Sequence, residues 1–201
     1  MKLKHSLIFI ALLSTTTVAA TPPVGAKLAG ANIVGTTKSQ QDNACKFNIK
    51  FSSDPQVKEQ QLNVAPNVDL KLKQFVAMQS VKGAKIATNV MCQQLIGQQY
   101  TGSQQEWQGF INNALNGLKN AGFESLSLTR VGSNDAIYKG ELDNYEYIFA
   151  GDIGGNKQVI HNLAVLDKAN NQVITLSVSG NEKVTQEIQD EYQRLVNSFS
   201  L

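Results

Sequence analysis

Val159-Ile160-His161-Asn162-Leu163-Ala164-Val165-Leu166-Asp167, then Lys168-Ala169-Asn170-Asn171, then Gln172-Val173-Ile174-Thr175-Leu176-Ser177-Val178-Ser179-Gly180 is the stretch on which the fold turns. In its second run Ile174, Leu176 and Val178 alternate with Thr175, Ser177 and Ser179, the period-two pattern of a strand with one buried face. In its first run, residues 159–166 carry apolar side chains on both parities, as expected of a central strand covered on both sides. Residues 168–171 between them have turn composition. Beyond Gly180, Asn181 suits an N-cap and Glu182 the first turn of a helix. The apolar stripe of that helix is Val184, Ile188, Tyr192, Leu195, Val196 and Phe199.

Working back along the chain, Ser103-Gln104-Gln105-Glu106 is a capping box that opens another helix. Trp107, Phe110, Ile111, Ala114, Leu115 and Leu118 recur on one of its faces, and Gly122 stops it, because glycine takes the left-handed cap without steric cost. Between the helices the pattern predicts a run of strands. Leu126 and Leu128 alternate with polar residues, Ala136 to Leu142 forms a strand, Asp143-Asn144 turns, and Tyr145 to Ala150 returns. Residues 151–156 (Gly-Asp-Ile-Gly-Gly-Asn) form the next turn. Ahead of the first helix, Leu72 to Val81, a Lys82-Gly83 turn and Ala84 to Leu95 read as a hairpin. Cys45 to Phe51 alternates as a strand that Asp54-Pro55 ends, while residues 56–71 have no clear period and contain Pro66. The order of strands, helix, antiparallel strand run and helix is that of an α+β fold, an antiparallel sheet with helices packed on it.

The first twenty residues have the layout of a secretory signal. Lys2 and Lys4 are followed by the apolar run Leu7 to Leu13, a small polar stretch, and Val18-Ala19-Ala20 before a cut. The run is far shorter than the roughly 20 residues a bilayer-spanning helix needs, and no second long apolar segment follows. No cysteine near the cut would accept a lipid anchor. The expectation is therefore a signal at 1–20, a flexible lead at 21–43 with a short strand at Ala31 to Val34, and one domain at 44–201, working in the periplasm or outside the cell.

Removing Lys2 and Lys4 from a chain of 18 basic and 16 acidic residues leaves the signs balanced. A neutral chain without a basic run lacks the clustered cations that nucleic acid or an anionic membrane surface selects. The two cysteines, Cys45 and Cys92, are an even pair in an oxidising compartment, have no CxxC spacing, and are expected to form a disulfide.

Within this pattern, His161 to Asp167, the turn, Gln172 to Gly180 and a helix closing in Leu195-Val196-Asn197-Ser198-Phe199 resemble the end of PsbP/DcrB-like domains. In those domains a strand precedes a C-terminal helix that ends in a hydrophobic-x-Ser-Phe pattern. The resemblance spans roughly residues 84–201 and implies an α/β/α sandwich in a family whose members are mostly non-catalytic. It supplies no catalytic residues, and a fold does not fix a function.

The residue chemistry points the same way. His161 is the one histidine beyond the signal, it lies mid-strand, and no Gly-x-Ser-x-Gly elbow accompanies it. One histidine and two widely spaced cysteines do not make a zinc site. Glu141, Asp143 and Asp152 flank turns without calcium-loop spacing, and residues 151–155 lack the Lys-Ser/Thr and following helix of a phosphate loop. No catalytic, metal or cofactor residue is therefore assigned. Tyr138, Tyr145, Tyr147 and Phe149, with His161, form a candidate ligand or partner surface, with core and cross-strand packing as the other reading of the rings. The expected function is that of an exported, non-enzymatic binding or adaptor protein of the bacterial envelope with a protein partner. The alternative is a carrier of a small apolar ligand in a groove between sheet and helix.

Overall fold

The computed structural model describes residues 45–201; the signal expected at 1–20, the lead expected at 21–43 and the short strand expected at Ala31 to Val34 lie outside them. The elements are β1 (Gln56–Ala65), β2 (Val68–Val81), β3 (Ala84–Ile96), α1 (Gln104–Asn120), β4 (Glu124–Arg130), β5 (Asp143–Ile153), β6 (Asn156–Asp167), β7 (Gln172–Asn181), a 3₁₀ turn (Glu182–Val184) and α2 (Thr185–Ser198). The strands form one seven-stranded sheet in the order β1-β2-β3-β7-β6-β5-β4. Every neighbouring pair is antiparallel. The fold is α+β, with the hairpin β6–β7 in the middle of the sheet where the alternation of residues 159–178 places it.

Parity sorts the side chains between two cores. Ile174, Leu176, Val178, Leu163 and Val165 point to one face, where Ile188, Tyr192, Leu195 and Val196 of α2 cover them. Val173, Ala164, Leu166, Leu70, Leu72, Met91 and Leu95 point to the other, under Phe110, Ile111, Ala114 and Leu118 of α1. Ile188 and Leu195 are fully buried. Burying a side chain of this size contributes about 1.5–3 kcal/mol, so α2, of which they are part, is held by packing rather than by propensity.

The start of α1 follows its sequence signal, whereas Asn181, expected to cap the last helix, caps a short 3₁₀ turn ahead of it. Ser103 Oγ accepts the Glu106 N–H at 3.3 Å. The Glu106 carboxylate reaches back to the amides of Thr101 (2.9 Å) and Gly102 (2.7 Å) rather than to Ser103 itself. At the other end of α1, Gly122 takes φ +91 and donates to the Lys119 carbonyl, while Phe123 donates to Leu118, a Schellman closure. Asn181 caps the 3₁₀ turn, accepting the Lys183 N–H at 3.1 Å, and α2 begins after that turn.

Several boundaries differ from expectation. Residues 56–71 are strands after all: β1 and β2 form a hairpin about Pro66-Asn67, with Asn67 at φ +60. β1 is an edge whose first six residues are exposed on both faces, so it has no apolar period to read. The strand expected over Ala136 to Leu142 is instead part of a loop, residues 131–142, and Asp143-Asn144 is not a turn but the start of β5. β4 pairs directly with β5, which leaves the apolar residues Ile137, Tyr138 and Leu142 to pack into the α2-side core. The turn expected over residues 151–156 contracts to Gly154-Gly155, both at positive φ.

Residues 45–51 keep the predicted alternation without becoming a ladder. Phe47, Ile49 and Phe51 pack into the α2-side core, and Phe47 meets Phe75 and Phe199. Among the described residues this segment pairs through the antiparallel bridge between Asn48 and Ser200. The Cys45–Cys92 disulfide is present, with Cα atoms 5.6 Å apart, and it fastens this segment to β3. Beside it the fully buried Gln172 accepts the Cys45 N–H at 2.7 Å and donates to Asp167 at 2.8 Å.

Candidate functional site

The five residues expected to share a surface divide between the two faces of the sheet. Tyr145, Tyr147 and Phe149 have the same parity on β5 and turn towards α1. Tyr147 and Phe149 are 1% and 3% exposed, with ring centroids 5.1 Å apart in an edge-on contact. Tyr145 lies 5.8 Å from Tyr147 and 6.3 Å from Trp107, and its outer side carries the Arg130 guanidinium at 4.5 Å. Burial pushes the Tyr147 phenol far above its ordinary range. These rings fill the layer between α1 and the sheet, so the cross-strand packing reading holds for Tyr147 and Phe149, and they present no open surface.

The opposite parity of β5 sends Glu146 to the α2 side, where His161 lies on β6 opposite Ile148. His161 is 7% exposed, with its ring 5.4 Å from that of Tyr192, and burial lowers its pKa. The Tyr192 phenol is raised by burial first and by the Glu146 carboxylate second. Glu146 is itself buried, and its carboxylate accepts the backbone amides of Ile137 (3.0 Å) and Tyr138 (3.4 Å). The loop amides that a strand ladder would have taken are thus taken by an inward-facing carboxylate, which holds residues 131–142 against the α2 side.

Of the five, Tyr138 lines an open groove. Its ring lies 6.5 Å from Phe199, and Ile137, Leu142, Val196 and Leu201 complete the apolar lining. The volume is about 430 Å³. A Cβ added at Gly140 would fall within the Tyr138 ring, so the glycine lets that ring fold back over the loop. Leu201, at the mouth, is 50% exposed.

The acidic candidates are accounted for locally. Asp143 pairs with Lys168 at 2.6 Å, Asp152 accepts the Gly155 N–H at 2.8 Å across its turn, and Glu141 is exposed. Among the described residues no group of three or more His, Cys, Asp or Glu side chains could hold a metal ion, and no helix is long and apolar enough to cross a membrane. The residues missed at the sequence level are Glu146 and the C-terminal wall, Phe199 and Leu201. Phe199 was legible as the end of the helix stripe, whereas Glu146 lies among tyrosines with nothing to mark it as buried.

A scan against protein-family models and a search of the curated proteins find no match for this chain.

Proposed function

We propose that this chain is an exported, non-enzymatic protein that binds an envelope protein through the groove between the loop 137–142 and residues 196–201. The observation that carries this reading is the groove itself. It gathers four aliphatic residues and two aromatic rings at one end of α2, open to solvent, in a chain whose other large apolar side chains are mostly packed between sheet and helices. An exposed apolar surface of this kind is a feature of partner sites. Export is supported by the signal-like N-terminus and by the Cys45–Cys92 disulfide. The compartment, periplasmic or extracellular, belongs to the proposal. A helix on each face of an antiparallel sheet also suits the PsbP/DcrB-like resemblance, which we retain as part of this reading.

The burial of His161 against Tyr192 argues against a hydrolase built on that imidazole. The packing of Tyr147 and Phe149 argues against a ligand carrier lined by those rings.

Native mass spectrometry of the protein purified gently from its host envelope tests the proposal, with Leu201→Asp alongside. Leu201 is half exposed, so the variant should fold as the parent does. A reproducible protein-sized mass addition that disappears in Leu201→Asp is the expected result. A discrete small-molecule addition to both proteins would move the assignment to a carrier, and a bare mass in both would count against the groove.

A further inference from the structure

At the end of the molecule formed by the β2–β3 turn lies a second hollow of different chemistry. Lys82, Gly83, Ala84, Lys85, Gln158, Asn181, Lys183 and Val184 line about 500 Å³. Three lysines line it, Lys82 and Lys85 from the β2–β3 hairpin and Lys183 from the 3₁₀ turn, and no carboxylate does. Once the signal is removed the basic and acidic residues of the chain balance, so this concentration of cations is not a reflection of overall charge.

The backbone around the hollow is firmly set. Lys82 and Gly83 form a two-residue turn, both at positive φ, between the paired residues Val81 and Ala84. Ile86 pairs with Gly180, and Gln158 with Asn181, so β3, β7 and β6 deliver their ends to one place. Gly180 permits this approach, because a Cβ there would lie 3.1 Å from the Lys85 carbonyl oxygen. Lys82 is held by Glu187, which raises the lysine pKa through a hydrogen bond and lowers that of the glutamate. The neighbouring Glu182 is engaged by Lys157 at 3.6 Å. Among the described residues Lys85 and Lys183 have no carboxylate within ion-pair distance, so two lysines without an ion-pair partner line the hollow together with Gln158 and Asn181.

We propose that this hollow binds a phosphate-bearing anion. Ammonium groups serve as point charges for phosphate oxygens, and side-chain amides supply further donors. The volume exceeds what a bare phosphate fills and leaves room for a polar body such as glycerol or a sugar. Such an anion could be soluble or could be the headgroup of an envelope lipid. The site lies apart from the apolar groove, and the inference does not rest on that groove being used.

The test uses the exported chain with its disulfide intact, the double variant Lys85→Gln/Lys183→Gln, and a charge-matched control, Lys58→Gln/Lys119→Gln. One arm titrates glycerol phosphate while amide NMR shifts and the thermal midpoint are followed. The other measures binding to vesicles with and without phosphatidylglycerol. The expected result is binding in at least one arm, with shifts focused on residues 82–85 and 181–184 in the soluble arm. The hollow variant should then bind about thirtyfold more weakly, at about 1 kcal/mol per lysine near an anionic surface, and the control should bind as the parent does. Without ligand the hollow variant should be about as stable as the parent, since both lysines are exposed and neither makes an ion pair, which separates lost binding from lost folding. Binding confined to the vesicle arm assigns a headgroup, and binding to glycerol phosphate assigns a soluble anion. Equal weakening in both variants, or no binding in either arm, overturns the proposal.

Discussion

His161 illustrates how far a single residue type can be read. Its place in a strand with apolar neighbours was visible in the alternation of residues 159–166, and the structure buries it accordingly. What it faces was not visible, because Tyr192 comes from a helix thirty-one positions along the sequence. The burial has a consequence for acid stability. Desolvation lowers the folded-state pKa below the ordinary 6.5. The unfolded chain therefore takes up the proton first, and stability declines as pH falls through about 6.5, levelling once pH is below the folded value. The groups facing the ring are the Tyr192 phenol, which stays neutral throughout this range, and, further along the same sheet face, the Glu146 carboxylate. Glu191 acts in a separate window. Burial works to raise its carboxyl, but hydrogen bonds from Arg194 and Ser52 hold it below 4.5, so its contribution is present above that value and is lost only at lower pH. Thermal midpoints measured from about pH 7.5 to 5 should fall in the parent and fall less in His161→Gln. Equal slopes would mean that the imidazole does not carry the effect.

At the scale of elements, legibility followed burial. α1, α2 and the central hairpin β6–β7 each bury a periodic face, and their sequences show it. β1 buries little and shows no period, although it is ten residues long. The loop 131–142 misled in the other direction. Ile137, Tyr138 and Leu142 looked like strand residues because they are apolar and spaced among polar ones, but they bury by packing beside α2, with Glu146 accepting the amides of Ile137 and Tyr138. No local signal distinguishes those two ways of burying an apolar residue. Helix ends were read better than loops, since capping is local chemistry. The end of α1 gives a direct check. Gly122 sits at φ +91, and a Cβ added there would have nothing within 4 Å, so an alanine meets no clash and suffers only from its backbone conformation. Gly122→Ala should therefore destabilise by about 1–2 kcal/mol, measured by urea unfolding. A neutral substitution would show that the helix can end elsewhere without loss.

For the whole molecule, the decisive arrangement is the closure of the α2 side by the two ends of the described chain. Residues 45–51 and 199–201 lie together. Asn48 and Ser200 exchange backbone hydrogen bonds at 2.8 and 3.1 Å, and Phe47 packs near Phe199. Arg194 of α2 adds a bond to the Lys50 carbonyl at 2.8 Å and grips Glu191, which also accepts from Ser52 and Thr88. One wall of the apolar groove, Phe199 to Leu201, therefore depends on the N-terminal segment staying in place, and the Cys45–Cys92 bridge is what cross-links that segment to β3. The bridge closes a loop with a sequence separation of 47, for which chain entropy gives about 4 kcal/mol of stabilisation. Its loss should have two effects of different reach. Cys45→Ser/Cys92→Ser should lower global stability by up to about 4 kcal/mol. Under native conditions it should also raise hydrogen exchange selectively at residues 46–51 and at Ser200, while the central strands β6 and β7 remain protected. Hydrogen exchange on parent and variant separates the two. Uniform loosening of the whole sheet would mean that the disulfide is integral to the core rather than a fastening for the segment that closes it.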